Sequence, residues 1–560
     1  MAAASVAVER EDLVTGWVKP PYQIKGLDHL GVQAPGIEIY GQLLPGVTNV
    51  TDRARYYSFY AWLFWQFEQK GWRAYREWQP MLRKAECLFA LIALYHDLTD
   101  VNNKSTYSGA MVGSSVLSQA LQGGDSGGHF SLSAFSQADE SKTRYFKNPT
   151  GGLGQYYFGS LWQLGIMTGD SVSEARLVEP AGTELAKAMG AGVDGEAFMA
   201  VLEADRFTAA DLDALHTFCP WGLKQSEAER HLLLSILMKG HASSPENELD
   251  DTTAARSASL AYIYWLAGKS QASKQTFENE KFRSLIYTQA SEQGEPLNIP
   301  PGLQRVTGRW QAYQRHELFS VALQGLFFCL LRSADLLGAA QTFPTTRALC
   351  SWFWTEGPGR PVIDANSDQS FGDWVMDQGE TLPDLSSWHS DGHEMIAAAS
   401  VCKLSAMKST NESMLSEIVV GALRVLTALI VREENSIGYG PVEFRPNYLE
   451  NYPINIDRWQ RDFSAKLRAM SVREALVLLS QEYCLDGHIR VGLRKLRQQG
   501  QNTFRFEVTE RGLWVKEIPE AVETSPRLAQ SIRILMDLGV LEEVEGNLSP
   551  VADPLMEPLQ

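Results

Sequence analysis

Much that would announce a function is missing from this sequence. There is no GxxxxGK[ST] run to cradle a nucleoside triphosphate, no GxGxxG after a strand-like run, no HExxH and no kinase signature. Gly151-Gly152-Leu153-Gly154 is rich in glycine but has no Lys behind it, and reads as a cap for the next helix. Cysteine is scarce: Cys87, Cys219, Cys329, Cys350, Cys402 and Cys484 are the whole set, no two at the spacing of a CxxC metal knuckle, and four in apolar runs. Buried thiols in a reducing compartment are expected. The first residues reach Glu9, Arg10, Glu11 and Asp12 without an apolar stretch, so no signal peptide is expected. The longest apolar stretch, Ile418 to Val431, is broken by Arg424 and Thr427 and is too short to span a bilayer. These absences point to a cytoplasmic protein with no cofactor and no membrane partner.

What is present is ordinary globular material. Apolar residues are 44% of the 560, charged residues 21% and aromatics 10%, which argues against long disorder and predicts several cores. The net charge of −17 works against uniform attraction to nucleic acid, although it leaves room for a local basic patch. The helix expected after Leu43-Leu44-Pro45-Gly46 carries Arg53, Arg55, Tyr56, Tyr57, Phe59, Tyr60, Trp62, Phe64 and Trp65 all round its circumference. Aromatics on every side predict burial rather than base stacking. Glu86 to Tyr95 reads as a second buried helix, and Tyr107 to Ser141, rich in Ser and Gly, as a long loop. Further helices are expected at Arg230–Met238, Ser257–Ala267 and Trp310–Leu337. Another should follow the cap signal Thr410-Asn411-Glu412, with the stripe Leu415, Ile418, Val419, Ala422, Leu426, Leu429 and Ile430. Between Pro361 and Cys402 there is no Lys or Arg but eight acidic residues, and this stretch reads as an acidic linker or loop.

One pattern occurs twice. Leu161-Trp162-Gln163-Leu164-Gly165-Ile166-Met167 is followed, after a polar gap, by Arg176 to Ala186 with Pro180 inside it. Ile534-Leu535-Met536-Asp537-Leu538-Gly539-Val540-Leu541 is followed by Leu548-Ser549-Pro550. In each, a helix should end at Gly in the left-handed conformation, two short strands should pair across a polar turn, and Pro should stop the second. This order resembles the third helix and wing of winged helix-turn-helix domains. The resemblance implies a winged-helix-like module near 85–190 and another near 475–560, and it implies that the helices about Leu153–Leu164 and Ser525–Leu538 stand where such domains often read DNA. The first of these carries no Lys or Arg. The expected fold class is mainly α and multidomain, helical bundles with two winged-helix-like α+β modules. The expected divisions are an N-terminal domain 1–195, a helical middle domain 196–360, the linker 361–402, a helical segment 403–474 and a C-terminal module 475–560.

Three groups of residues are candidates for chemistry. Arg490, Arg494, Lys495, Arg497, Arg505 and Arg511 cluster within 22 positions against few acids. These six are the nucleic-acid candidates, Arg490, Arg494 and Arg497 among them having the spacing of one helical stripe, with a solvated helix face as the plainer reading. His389, Asp391, His393 and Glu394 hold metal-ligand types within six residues, while Asp391 and Gly392 look instead like a cap before a helix from Met395. His96-Asp97 resembles the central pair of HD phosphohydrolases, although a His ending an apolar helix is also simply a cation on a helix dipole. The catalytic residues remain unknown. The expected function is a non-enzymatic binding or regulatory component of a bacterial multi-protein system, as in antiviral defence or genome maintenance, engaging a partner protein or DNA through its winged-helix modules. A metal-dependent hydrolase or nuclease and a purely structural helical scaffold are the alternatives.

Overall fold

A computed structural model describes residues 28–99, 109–121, 129–138, 144–239, 251–407, 411–434, 453–500 and 502–557. The fold is mainly helical, with four two-stranded antiparallel sheets among the described residues. Two compact units divide the chain, and each is assembled from segments far apart in sequence: Ile39–Trp310 with Ser525–Gln560, and Met1–Glu38 with Gln311–Thr524. The glycine-rich core of the expected long loop, Gly123 to Gly128, lies outside the described residues. Its flanks hold two short helices, Ser114–Ala120 and Ser133–Ser136.

The unit containing Ile39–Trp310 is built around the aromatic helix Arg55–Gln69, buried from Arg55 to Phe64 as its all-round aromatics require. Phe59 stacks on Phe89 at 4.0 Å between ring centroids, on the neighbouring helix Tyr75–Thr99. That helix is about four turns longer than the apolar run Glu86–Tyr95, because its first turns are largely polar, with Trp78, Leu82 and Ala85 as their buried apolar face, and its last turn is polar too. Both arginines flanking the start of the aromatic helix are buried in ion pairs, so neither is available to a base. Arg55 meets Glu229 at 3.1 Å, and Arg53 grips Asp537 with two N–H groups at 3.0 Å each.

Both expected hairpins form. Met167–Thr168 pairs with Arg176–Leu177, and Leu541–Val544 with Asn547–Pro550. The resemblance between them extends to individual hydrogen bonds. Gly165 and Gly539 take φ of +68° and +70°, where a side chain would be strained. Ile166 N–H then reaches back to Leu161 O, and Val540 N–H to Leu535 O, the six-to-one bond of a Schellman cap. After each second strand, Val178 N–H returns to Ile166 O and Val551 N–H to Val540 O. The stretch 475–560 does not hold together as one module, however. Its residues up to Thr524 belong to one unit and those from Ser525 to the other. Asp537 at the end of the helix Leu528–Asp537 is bound to Arg53, which fixes the second hairpin in the unit of the aromatic helix.

In the other unit the helix Glu412–Glu434 is capped as its sequence predicts, with Met414 N–H donating to Asn411 Oδ1 at 2.9 Å, and its apolar stripe is buried. This helix and Pro301–Leu337 are long and apolar enough to cross a bilayer, yet 67% and 72% of their apolar windows are buried inside the fold. The acid-rich stretch is not irregular throughout. It carries the helices Arg360–Ala365 and Phe371–Glu380 and most of Glu394–Ser405. Phe371, Trp374 and Val375 form a buried face at i, i+3, i+4, while the acids point outward. Its glycines are sites of close packing rather than breaks: a Cβ on Gly379 would lie 2.7 Å from Val431. A hairpin absent from the sequence reading, Phe506–Thr509 with Gly512–Val515, follows the helix Asp486–Gln499.

Removing one partner of the Arg53–Asp537 pair leaves the other charge buried. Asp537→Asn should therefore destabilise the protein by about 3–5 kcal/mol in urea denaturation, and Arg53→Met similarly. The double variant Arg53→Met with Asp537→Leu should recover a large part of that loss. Equal loss in single and double variants would show that the pair itself is not the cause.

Candidate functional site

The six basic residues near the C-terminus do not form one surface. Lys495 is buried and donates to Asp28 O at 3.0 Å. Arg505 forms an ion pair with Glu517 and directs its Nε to His29 Nδ1 at 3.4 Å. Arg490 donates to Glu482 O at 2.7 Å, and Arg494 is half-buried. Arg490, Arg497 and Arg511 are the exposed members. On the helix Asp486–Gln499 the exposed cations alternate with exposed Leu493 and Leu496, so the outer face is mixed rather than a continuous basic stripe.

The buried half of the cluster is a locking network. His488 donates from Nδ1 to His29 O at 2.9 Å and accepts Arg505 N–H at Nε2, 2.8 Å, which fixes its neutral tautomer. Burial first, with Arg505 and Lys495 nearby, pushes the His29 imidazole down to about 3. Burial likewise takes His488 down to about 4. Asp28 accepts from the N–H groups of Gly31, Val32, Gln33 and Ala34, and so caps the helix Ala34–Leu43. The segment around residues 28–38 is thus tied to residues beyond 480 by hydrogen bonds and by the edge-to-face contact of His29 with His488.

The histidine and acid group at 389–394 is divided too. Among the described residues no three His, Cys, Asp or Glu side chains are grouped to hold a metal. His389 lies exposed against the Trp388 ring, and Asp391 is exposed. His393, not Asp391, is the N-cap: its Nδ1 accepts Met395 N–H at 3.1 Å, and its Nε2 faces Leu385 O at 3.2 Å. Glu394 is fully buried against Arg432, with one bond of 2.8 Å from Nη2. His96, of the HD-like pair, sits in the last turn of its helix with Nε2 3.3 Å from Leu212 O.

The cavity that stands out was not visible in the sequence. A groove of about 700 Å3 opens between the acid-rich helices and Glu412–Glu434. It is lined by Trp374 from the helix Phe371–Glu380, by Ile396 and Ser400 from Glu394–Ser405, and by Glu417, Val420 and Arg424 from Glu412–Glu434. Val420 is 59% exposed and Ile396 40%, an apolar lining open to solvent. The two helices approach closely beneath it: a Cβ on Gly421 would come within 3.1 Å of Val401. Arg424 is held by neutral oxygens, donating to Gly392 O at 2.8 Å, to Gln378 O at 3.2 Å, to Thr381 O at 2.6 Å and to Thr381 Oγ1. It staples the loops after Phe371–Glu380 and before Glu394–Ser405, which rigidifies the groove. Glu417 is exposed.

The groove face of Glu412–Glu434 runs Ser413, Glu417, Val420, Arg424, Thr427, the complement of the buried stripe. A helix pattern reveals its core face by apolar content. A binding face made of small and polar residues looks like ordinary solvent-facing helix. The available signals were the cation-free stretch 361–402 and the small-residue run Ala397-Ala398-Ala399-Ser400.

The histidine network sets a pH dependence. Both imidazoles stay neutral in the folded protein down to about 4, whereas in the unfolded chain they take up protons near 6.5. The unfolded state then binds more protons, so their stabilisation is whole above about pH 6.5 and is lost as pH falls towards 4. For His488 the loss is at most about 3 kcal/mol. Urea midpoints from pH 7 to 4 should fall more steeply for the wild type than for His488→Gln. Equal slopes would contradict the locking role. At the other cluster, His393→Ala should cost about 1 kcal/mol as a lost cap, with His389→Ala close to neutral in the same measurement. In comparisons with known proteins, no family model, no curated protein and no solved structure matches the chain.

Proposed function

We propose that this chain is a non-enzymatic binding component, and that it holds a partner protein by an apolar helical segment bearing Lys or Arg, seated in the groove between Glu394–Ser405 and Glu412–Glu434. The observation that carries this reading is the groove itself: open, apolar at Ile396, Val420 and Trp374, with one side drawn from the cation-free stretch 361–402 and with Arg424 on the other side committed to backbone and hydroxyl oxygens. Helix-in-groove recognition uses such a surface, with apolar anchors at i, i+3, i+4 and i+7 and charge at the rim. Asp373, Asp377 and Glu380 are exposed on the helix Phe371–Glu380 that also supplies Trp374 to the groove, Glu417 lies in its lining, and these acids favour a cationic occupant. The residue types that suggested an enzyme are engaged elsewhere, His393 in capping and Glu394 in an ion pair.

We read the two helix–glycine–hairpin segments as winged-helix-like elements used for packing and docking rather than for reading DNA. The helix Leu528–Asp537 is buried on most of its surface, Arg527 donates to Leu44 O at 2.8 Å, and Arg533 pairs with Asp52 at 3.1 Å. A recognition helix needs its side chains free for base edges.

A photo-crosslinking residue at position 420 tests the groove in cells. The captured peptide should be an apolar helical segment flanked by Lys or Arg, and Ile396→Glu should reduce capture about tenfold or more. Capture of acidic segments, or capture indifferent to Ile396→Glu, would remove the reading.

A further inference from the structure

A second cavity, of about 500 Å3, lies in the unit containing the aromatic helix and is lined by Val116, Arg144, Tyr145, Phe146, Lys147, Gln155 and Tyr156. In a chain of net charge −17, the charged lining residues among the described residues of this pocket are two cations, Arg144 and Lys147. Its apolar lining is aromatic: the Phe146 and Tyr156 rings meet edge to face at 5.4 Å. Gln155, exposed beside them, offers an amide that can both donate and accept.

The backbone under this pocket is fixed before any ligand arrives. Arg83 is buried and donates to Phe146 O at 3.0 Å, to Asn148 O at 2.6 Å and to Gln137 O at 2.6 Å. Tyr145 donates its hydroxyl to buried Glu86 at 2.6 Å. The same carboxylate accepts Gly152 N–H at 2.8 Å and Leu153 N–H at 3.0 Å, and these close the helical segment that presents Gln155 and Tyr156. Glu86 therefore occupies the helix N-terminus from inside, and an anion in the pocket would be held by the side chains of Arg144 and Lys147.

We infer that this pocket binds a nucleotide, with the base against Tyr156 and Phe146 and the phosphate between Arg144 and Lys147. An aromatic ring stacks on any base and two cations hold a phosphate, the pairing that single-strand and nucleotide sites share. The volume falls in the usual range for small-ligand sites. The ligand can be a free nucleotide or a nucleotide within a single strand. This inference stands on a different unit from the proposed groove and does not depend on it.

Calorimetric titration of the full chain with AMP, GMP and CMP, with adenosine, with inorganic phosphate and with a short oligodeoxythymidine tests it. Expected is saturable one-to-one binding of the monophosphates, at least about tenfold tighter than adenosine or phosphate alone. Tyr156→Leu and Lys147→Glu should each weaken it about tenfold or more, with unchanged melting temperature. Both side chains lie at the surface of the pocket, so neither variant should unfold the protein. An oligonucleotide that binds more tightly than its monomer and competes with AMP identifies a single strand as the source, and monomer binding alone identifies a free nucleotide. Absence of saturable binding by monomer and oligonucleotide, or binding indifferent to both variants, overturns the inference.

Discussion

A buried charge must find its opposite, and in this protein that requirement decides which distant segments belong together. Arg53 precedes the aromatic helix, and burying that helix buries the guanidinium with it. Asp537, 484 positions later, supplies the carboxylate and also accepts Ala54 N–H at 3.1 Å. Burial raises the Asp537 carboxyl, and Arg53 is the foremost influence holding it down. Neither residue is tolerable without the other in a low-dielectric core. The return of the C-terminal segment to the unit of Ile39–Trp310 follows from that pairing.

The same rule recurs throughout. Glu229 serves Arg55 and Ser58, and Glu86 serves Tyr60, Tyr145 and two backbone N–H groups. Glu394 serves Arg432, and Lys495 with Asp28 ties a near-terminal segment to the helix Asp486–Gln499. These are charges used as fasteners, each satisfied by several bonds so that desolvation is offset. Their use inside the fold is why clusters that resemble functional sites in one dimension disperse in three.

The packing also leaves concave surface open. The apolar groove in one unit and the cation-lined aromatic pocket in the other both rest on backbone immobilised by arginine, Arg424 in the first and Arg83 in the second. The guanidinium donors go to backbone carbonyls and, for Arg424, the Thr381 hydroxyl as well, which holds loops in place. Such preorganisation lowers the ordering cost of binding.

Local rules were legible in the sequence. The aromatic helix, the Asn411 cap, the buried stripe of Glu412–Glu434 and both glycine-terminated hairpins follow from side-chain periodicity and from left-handed glycine, which depend on near neighbours alone. The short helices of the acid-rich stretch escaped because Gly372, Gly379 and Pro383 look like breakers, whereas the two glycines are there for close packing against Arg468 and Val431. The fates of Lys495, Arg505, His393 and Glu394 escaped for a deeper reason. Whether a charged side chain faces solvent or a partner is settled by which carboxylate or carbonyl the folded chain brings within about 3 Å. The groove and the pocket are likewise spaces between elements, and a space has no residue of its own to be read.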